Sequence, residues 1–436
     1  MIRLHQMASK YLQVSTAIAA LVVSATASAS AADTTELISV GLDGKPAAGG
    51  SQDGVVSSSG RYVAFASSAA NLVAGDSNGS IDVFVRDRTS ASTERASLGM
   101  GGAEGNNEST LPDISNDGRF VAFTSWASNL VPGDTNGSSD VFVRDRRSGT
   151  TERVSVGRGA VQANANSYSP RISADGRFIA FASDASNLIA GDTNGVPDIF
   201  RWDRQTGLIV RASVGAGGVQ ANINSAAPTI SADGRFVAFE SDASNLVRGD
   251  TNASVDIFVR DLRDGVTERV SVGPGEVQPN DNSFYPAISA NGRFVAFQSL
   301  ATNLVRHDTN RNVDVFIRDR VKNITRRVSV AADGRQIGGG SPQITAQGHF
   351  VAFENMVEKL VGTTIVTRYS ILVRDRPLKS TQRVDFGQNG APANNWSKPT
   401  DISPHGRFVV FTSEATNMTP GDINHDRDVF LRTREP

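Results

Sequence analysis

A glycine followed by a basic residue, an aromatic and Val or Ile recurs along the chain at Gly60, Gly118, Gly176, Gly234, Gly292, Gly348 and Gly406, with His349 standing for the usual arginine in the sixth copy. The successive spacings are 58, 58, 58, 58, 56 and 58 residues. Self-similarity this regular marks a repeat architecture, and a period above fifty is too long for most helical solenoids.

Each copy holds three segments of strand chemistry preceded by a shorter one. In the third copy these are Pro170-Arg171-Ile172-Ser173, then residues 177–183, 198–203 and 209–214. All are short, rich in Val, Ile and Phe, and bounded by Gly, Asn, Asp and Ser, with no 3.6-residue period. In Arg119-Phe120-Val121-Ala122-Phe123 both alternating faces are apolar, so this strand must be covered on both sides. Residues 151–156 put Val154 and Val156 on one face and Arg153 and Ser155 on the other, the pattern of a half-exposed outer strand.

Four antiparallel strands per copy and seven copies predict an all-β, seven-bladed β-propeller, whose radial repetition leaves only short, protected edges. The last copy stops after its third strand, at residues 428–432. The text Thr35-Glu36-Leu37-Ile38-Ser39-Val40 matches the fourth-strand text Thr151-Glu152-Arg153-Val154-Ser155-Val156. The N-terminal strand is therefore expected to complete the last blade and close the ring.

Ahead of that strand, Arg3 and Lys10 precede an apolar run over residues 17–23, and Ala29-Ser30-Ala31 offers small residues to a signal peptidase. Residues 1–31 read as a cleaved signal peptide and 32–436 as a single propeller domain. The apolar run is too short to span a bilayer, and no later segment approaches that length. Cysteine is absent, which removes disulfides, thiol catalysis, zinc-thiolate sites and a lipid-carrying cysteine together. The expectation is a soluble protein of the periplasm or the medium. A net charge of −2 and the lack of any Lys/Arg tract argue against nucleic acid and against an anionic membrane surface as partners.

Ser173-Ala174-Asp175-Gly176-Arg177-Phe178-Ile179-Ala180-Phe181, followed by Asp198-Ile199-Phe200 and Gly207, resembles the WD-repeat-like unit of TolB-type propellers. The similarity recurs in every copy. Two departures stand out: the loop between the second and third strands is longer than that family's usual one, and the separate N-terminal domain of TolB is missing. The resemblance implies a fold rather than an activity, because one propeller frame hosts many functions.

Two polar patterns recur. The first is the loop Gly133-Asp134-Thr135-Asn136-Gly137-Ser138-Ser139-Asp140, with equivalents at Asp76/Asn78/Asp82, Asp192/Asn194/Asp198, Asp250/Asn252/Asp256, Asp308/Asn310/Asp314 and Asp422/Asn424/Asp428. Oxygen ligands one, three and seven places along a tight loop suit calcium. The seventh copy is richest, because Asp426 adds a carboxylate between Asn424 and Asp428. The competing reading is Asx-turn chemistry, in which Asp and Asn bond their own backbone. In the sixth copy Thr364, Val366 and Ser370 occupy the three places, so a blade is buildable without them.

The second pattern lies in the crossings between blades: Asn164, Asn166 and Ser167; Asn222, Asn224 and Ser225; Asn280, Asn282 and Ser283. Near a central channel these would form a partial ring of amides and hydroxyls suited to a peptide or glycan. The Arg-Asp pairs that end the third strands, such as Arg144-Asp145, recur too regularly for catalysis and read as architecture. Asymmetry is carried by His307, His349, His405 and His425, all in the last three copies. No Gly-x-Ser-x-Gly elbow lies between a strand and a helix.

The leading expectation is an exported binding or scaffold protein for a protein, peptide or glycan, with calcium as the one cofactor the loops suggest, rather than an enzyme. The alternative is a lyase or hydrolase acting on an extracellular polysaccharide, since some seven-bladed propellers resembling this one carry metal-assisted chemistry at the channel mouth.

Overall fold

The computed structural model describes residues 33–361, 364–387, 390–420, 422 and 424–435; the segment read as a signal peptide lies outside the described residues. The described chain forms seven four-stranded antiparallel sheets. In the second blade the strands are Ser109–Ile114, Phe120–Ser125, Asp140–Asp145 and Thr150–Arg153, paired in that order. The first strands of neighbouring blades touch one another, which puts them innermost, around the central channel.

Ring closure is as expected: Thr34–Leu37 pairs antiparallel with Asp428–Thr433, completing the sheet of Ser397–Ile402 and Phe408–Ser413. Leu37 stands opposite Phe430. The seam is apolar: Ile38, Val410, Val429 and Leu431 of the last blade pack with Val63, Phe65 and Phe84 of the first.

The doubly apolar second strand is buried on both faces. Phe123 stacks on Phe142 within its own blade at 5.9 Å, while Val121 and Phe123 also pack on Val83 and Val85 of the preceding blade. The same Phe pair recurs in blades one to five and in the seventh at 5.6–6.0 Å. Fully burying such side chains contributes roughly 1.5–3 kcal/mol each, so the interfaces between blades hold the disc together. The repeat glycine serves this packing. At Gly118 φ is +75°, and a Cβ there would collide with the Tyr62 ring of the preceding blade.

All the first strands carry a register shift. In six of them a non-glycine residue takes positive φ there: Asp53, Leu111, Ser169, Ala227, Tyr285 and Ser341. Bulges of this kind re-aim side chains.

The crossings between blades and the loops joining second to third strands share one face of the disc, here the loop face; the short turns occupy the other, the turn face. The sixth blade breaks the pattern. Its second and third strands, Phe350–Val361 and Thr364–Asp375, run on past the sheet as one paired hairpin with Val361 opposite Thr364, where other blades close with the Asp loop. Among the described residues no helix is long and apolar enough to cross a membrane.

Candidate functional site

In blades one to five the two aspartates of each loop converge, and a guanidinium already supplies the positive charge between them. Arg153 stands 3.2 Å from both Asp134 and Asp140. Arg211 stands 2.8 Å from Asp192 and 3.4 Å from Asp198. Arg95, Arg269 and Arg327 repeat the arrangement with Asp76/Asp82, Asp250/Asp256 and Asp308/Asp314. The middle asparagine acts as a brace: Asn136 Nδ2 donates to Asp140 (3.0 Å) and to the Ala163 carbonyl (3.0 Å), while its Oδ1 accepts from Ser138 N–H (3.1 Å). Asn194 repeats this with Asp198 (2.9 Å) and Ala221 (3.0 Å).

The arginine belongs to the fourth strand, facing the third-strand phenylalanine, as Arg153 faces Phe142. In the sixth blade Arg383 keeps a carboxylate by another route, pairing at 2.8 and 2.9 Å with Asp385, which replaces the serine found there in other copies.

In the seventh blade the register position is Leu37. Asp422 (5% exposed) and Asp428 (0%) are therefore buried together without the arginine. Asp428 accepts from Ser39 Oγ (2.6 Å) and Asn424 Nδ2 (3.0 Å). Burial, with Asp422 and Asp426 adding repulsion, still raises its carboxyl to about 6. Burial likewise raises Asp422, opposed by His425. Asp426 is exposed, and its N–H donates to Asn424 Oδ1 (3.1 Å). His425, Asp426 and Arg427 also line, with Gln52, Ser68 and Glu414, a cavity of about 360 Å³ between the seventh and first blades.

The inter-blade asparagines are mostly spent on their own scaffold. Asn164 bonds Asn187 and Ser186, Asn222 bonds Asn245 and Ser244, and Asn280 bonds Asn303 and Thr302, each within 2.9–3.1 Å. Asn166 and Asn282 accept backbone N–H groups of Ser139 and Val255, and Asn224 is exposed. Ser167, Ser225 and Ser283 are buried against Ser183, Ser241 and Ser299.

The histidines divide between faces: His307 and His425 in loops between second and third strands, His349 and His405 in turns between first and second. Among the described residues no three His, Asp or Glu side chains converge well enough to hold a metal ion.

A polar cluster that the repeat pattern did not single out lies where the first strands meet. Five residues before each repeat glycine the ring reads Val55, Asp113, Arg171, Thr229, Ala287, Gln343 and Asp401. Asp113 accepts from Ile114 and Ile172 N–H (3.0 and 2.7 Å), and Asp401 from Val56 and Ile402 N–H (2.8 and 2.7 Å), each tying its blade to the next. Burial, with Asp113 adding repulsion, raises Asp401 to about 6.

Nearer the loop face, Lys398 of the seventh blade reaches across to the Tyr285 ring of the fifth at 5.9 Å. Tyr285 is 53% exposed, and its N–H donates to Glu240 (2.9 Å). Trp396 Nε1 donates to Glu354 (3.2 Å). Burial raises the carboxyls of Glu240, Glu354 and Asp53, with Lys398 pulling the last two back down. The mouth thus joins an exposed aromatic ring, an ammonium and weakened acids. Comparing copies position by position for charge, rather than for the residues they share, would have found it.

No family model and no curated protein matches the chain. Solved structures do. An oligogalacturonate lyase from Vibrio parahaemolyticus is similar at 12% identity with a TM-score of 0.51, over 87% of this chain and 88% of that one. An acylaminoacyl peptidase from Pyrococcus horikoshii is similar at 13% identity and a TM-score of 0.52; the match covers 88% of this chain but only 50% of the peptidase. TolB from Acinetobacter baumannii is similar at 17% identity and a TM-score of 0.38, over 70% of this chain and 59% of that one. At these identities the likeness concerns the fold. The described residues form the seven-bladed β-propeller that the repeat text, resembling that of TolB-type propellers, implies.

Proposed function

We propose that the chain is an exported scaffold, periplasmic or secreted, that binds a peptide, protein or glycan at the channel mouth of its loop face. One observation carries this reading. The regular ring becomes unequal on that face, where Tyr285, Lys398, Glu354 and Trp396 gather beside the projecting hairpin of the sixth blade. A mouth that combines an aromatic face, a cation and hydrogen-bonding groups orients a polar ligand. The Asn164, Asn222 and Asn280 braces supply a stiff rim that holds it in shape.

The test is a peptide and glycan array probed with the full chain and with Tyr285→Ala and Lys398→Ala. Ligands retained by the wild type and lost by both variants support the mouth. Equal retention by all three moves binding elsewhere, and no retained ligand removes the reading.

The seventh-blade loop is the place for calcium in this proposal, on two carboxylates, Asp422 and Asp428, and the Asn424 amide oxygen rather than on three acidic side chains. Asp422 and Asp428 lack the arginine that neutralises their counterparts, so a bound cation would supply the missing charge. The polysaccharide-lyase alternative draws on the whole-chain likeness to the oligogalacturonate lyase. Release of unsaturated sugars from oligogalacturonates by the wild type, lost with Tyr285→Ala or Lys398→Ala, would favour it.

A further inference from the structure

On the turn face a second pattern of charges recurs around the ring, with an acid facing a base at four of the seven blade junctions. In every blade but the fourth the residue after the third strand is an arginine that stacks on an aromatic ring of the preceding blade, with a fourth-strand residue opposite it. Arg88 meets Glu36 (2.7 Å), Arg146 meets Glu94 (2.5 Å) and Arg320 meets Glu268 (2.5 Å). Arg204 attracts Glu152. Where the chain drops the acid between the third and fourth blades it drops the base too, and Val210 and Leu262 take the two places. Between the sixth and seventh blades the places hold Gln382 and Arg434, and Arg434 is attracted by Asp33 and Asp375.

The junction between the fifth and sixth blades breaks this rule. Arg376 keeps its place over the Phe294 ring at 4.4 Å and donates to the Gly348 carbonyl, but the residue opposite is Arg326, in the register that holds Glu268 one blade earlier. The Arg326 guanidinium makes no hydrogen bond or ion pair among the described residues, and it faces Arg376 as a like charge. Arg293 also repels Arg376. Asp319 attracts it, but Arg293 holds that carboxylate in two bonds of 2.9 and 2.8 Å. Arg374, Lys379 and His349 also line, with Arg326 and Arg376, a cavity of about 400 Å³ that has Phe294 as one wall and no carboxylate among its lining residues.

We infer that this cavity binds an oxyanion, a phosphate or sulfate ester group, which bridges Arg326 and Arg376 in place of the missing glutamate. Guanidinium groups bind such anions in paired, charge-assisted hydrogen bonds. The volume admits an ester with its attached residue. The site lies on the face opposite the channel mouth, so it stands or falls independently of the proposed ligand there.

The test uses thermal melts of the full chain in rising sodium phosphate, in sodium sulfate, and in sodium chloride at matched ionic strength. Phosphate and sulfate should raise Tm with the logarithm of their concentration above the dissociation constant, by about 1–2 °C at ten times that constant, with chloride flat. Arg326→Glu restores the repeat's own pair. It should raise the starting Tm and weaken phosphate at least tenfold. Arg326→Gln, which removes the charge without adding an acid, should weaken it several-fold, and Arg320→Gln at the neighbouring junction should leave it unchanged.

Superimposable melts in phosphate, sulfate and chloride would overturn the inference. So would an undiminished phosphate response in Arg326→Glu, or in Arg326→Gln should the first variant not fold. A phosphate response with no sulfate response assigns the site to phosphate esters; a sulfate response alone assigns it to sulfate esters.

Discussion

Leu37 pairs with Phe430 in the strand that closes the ring, at the register where Arg153 pairs with Phe142. One substitution between copies thus leaves Asp422 and Asp428 buried without their arginine, while the matching carboxylates of blades one to five are neutralised from within. Leu37→Arg is expected to restore the pair and raise Tm. An unchanged or lower Tm would mean that Leu37 earns more from its apolar packing than the carboxylates lose.

If a cation fills that position, calcium added after chelation raises the Tm of the wild type and not of Leu37→Arg or Asp422→Ala. Coincident melts with and without calcium would return the loop to turn chemistry alone.

The pH dependence has a definite sign. Asp428 has its folded carboxyl raised from 3.8 to about 6, so the folded state binds its proton more tightly than the unfolded chain does. Its contribution is fully present below about pH 4 and is lost as pH rises through about 6, a change of about 3 kcal/mol for a two-unit shift. Asp428→Asn should flatten the stability profile between pH 4 and 7 relative to the wild type. Parallel profiles would contradict the assignment.

Arg153→Ala removes one partner of a buried triad and leaves Asp134 and Asp140 uncompensated. The expected cost is about 3–5 kcal/mol, read from denaturant midpoints. A loss below about 1 kcal/mol would show that water or rearrangement neutralises the pair.

Gly118→Ala combines positive φ with the Tyr62 ring at the Cβ position. It should destabilise by about 2–4 kcal/mol. The double variant with Tyr62→Ala should recover the steric part and keep the backbone part.

The ring itself was legible because its determinants are local and repeated: alternating apolar residues, the Gly-Arg-aromatic block, and the strand text shared by residues 35–40 and 151–156. The loops were legible as polar but not as ion triads. Asp134 and Arg153 are nineteen residues apart, and only strand pairing brings them together. The sixth-blade hairpin was legible as a loss of the Asp loop, not as a gain of strand, since Val357 and Thr367 read equally well as loop text until their partners are known. Tyr285 and Lys398 belong to blades that are not neighbours in the ring. Their meeting follows from the closure of the disc and from nothing within either copy.

Because residues 34–37 bond residues 430–433, the two ends of the domain lie side by side, and the described polypeptide is topologically a loop with a nick in its last blade. Joining the ends through a short linker and reopening the chain at another turn should preserve the disc. Until the final strand pairs, the first and last blades each expose an apolar edge, so the latch formed by Ile38, Val63 and Val410 is expected to close late. Closure thus rests on a contact between the two ends of the described chain, and a truncated product lacking residues 428–433 would present both sticky edges at once.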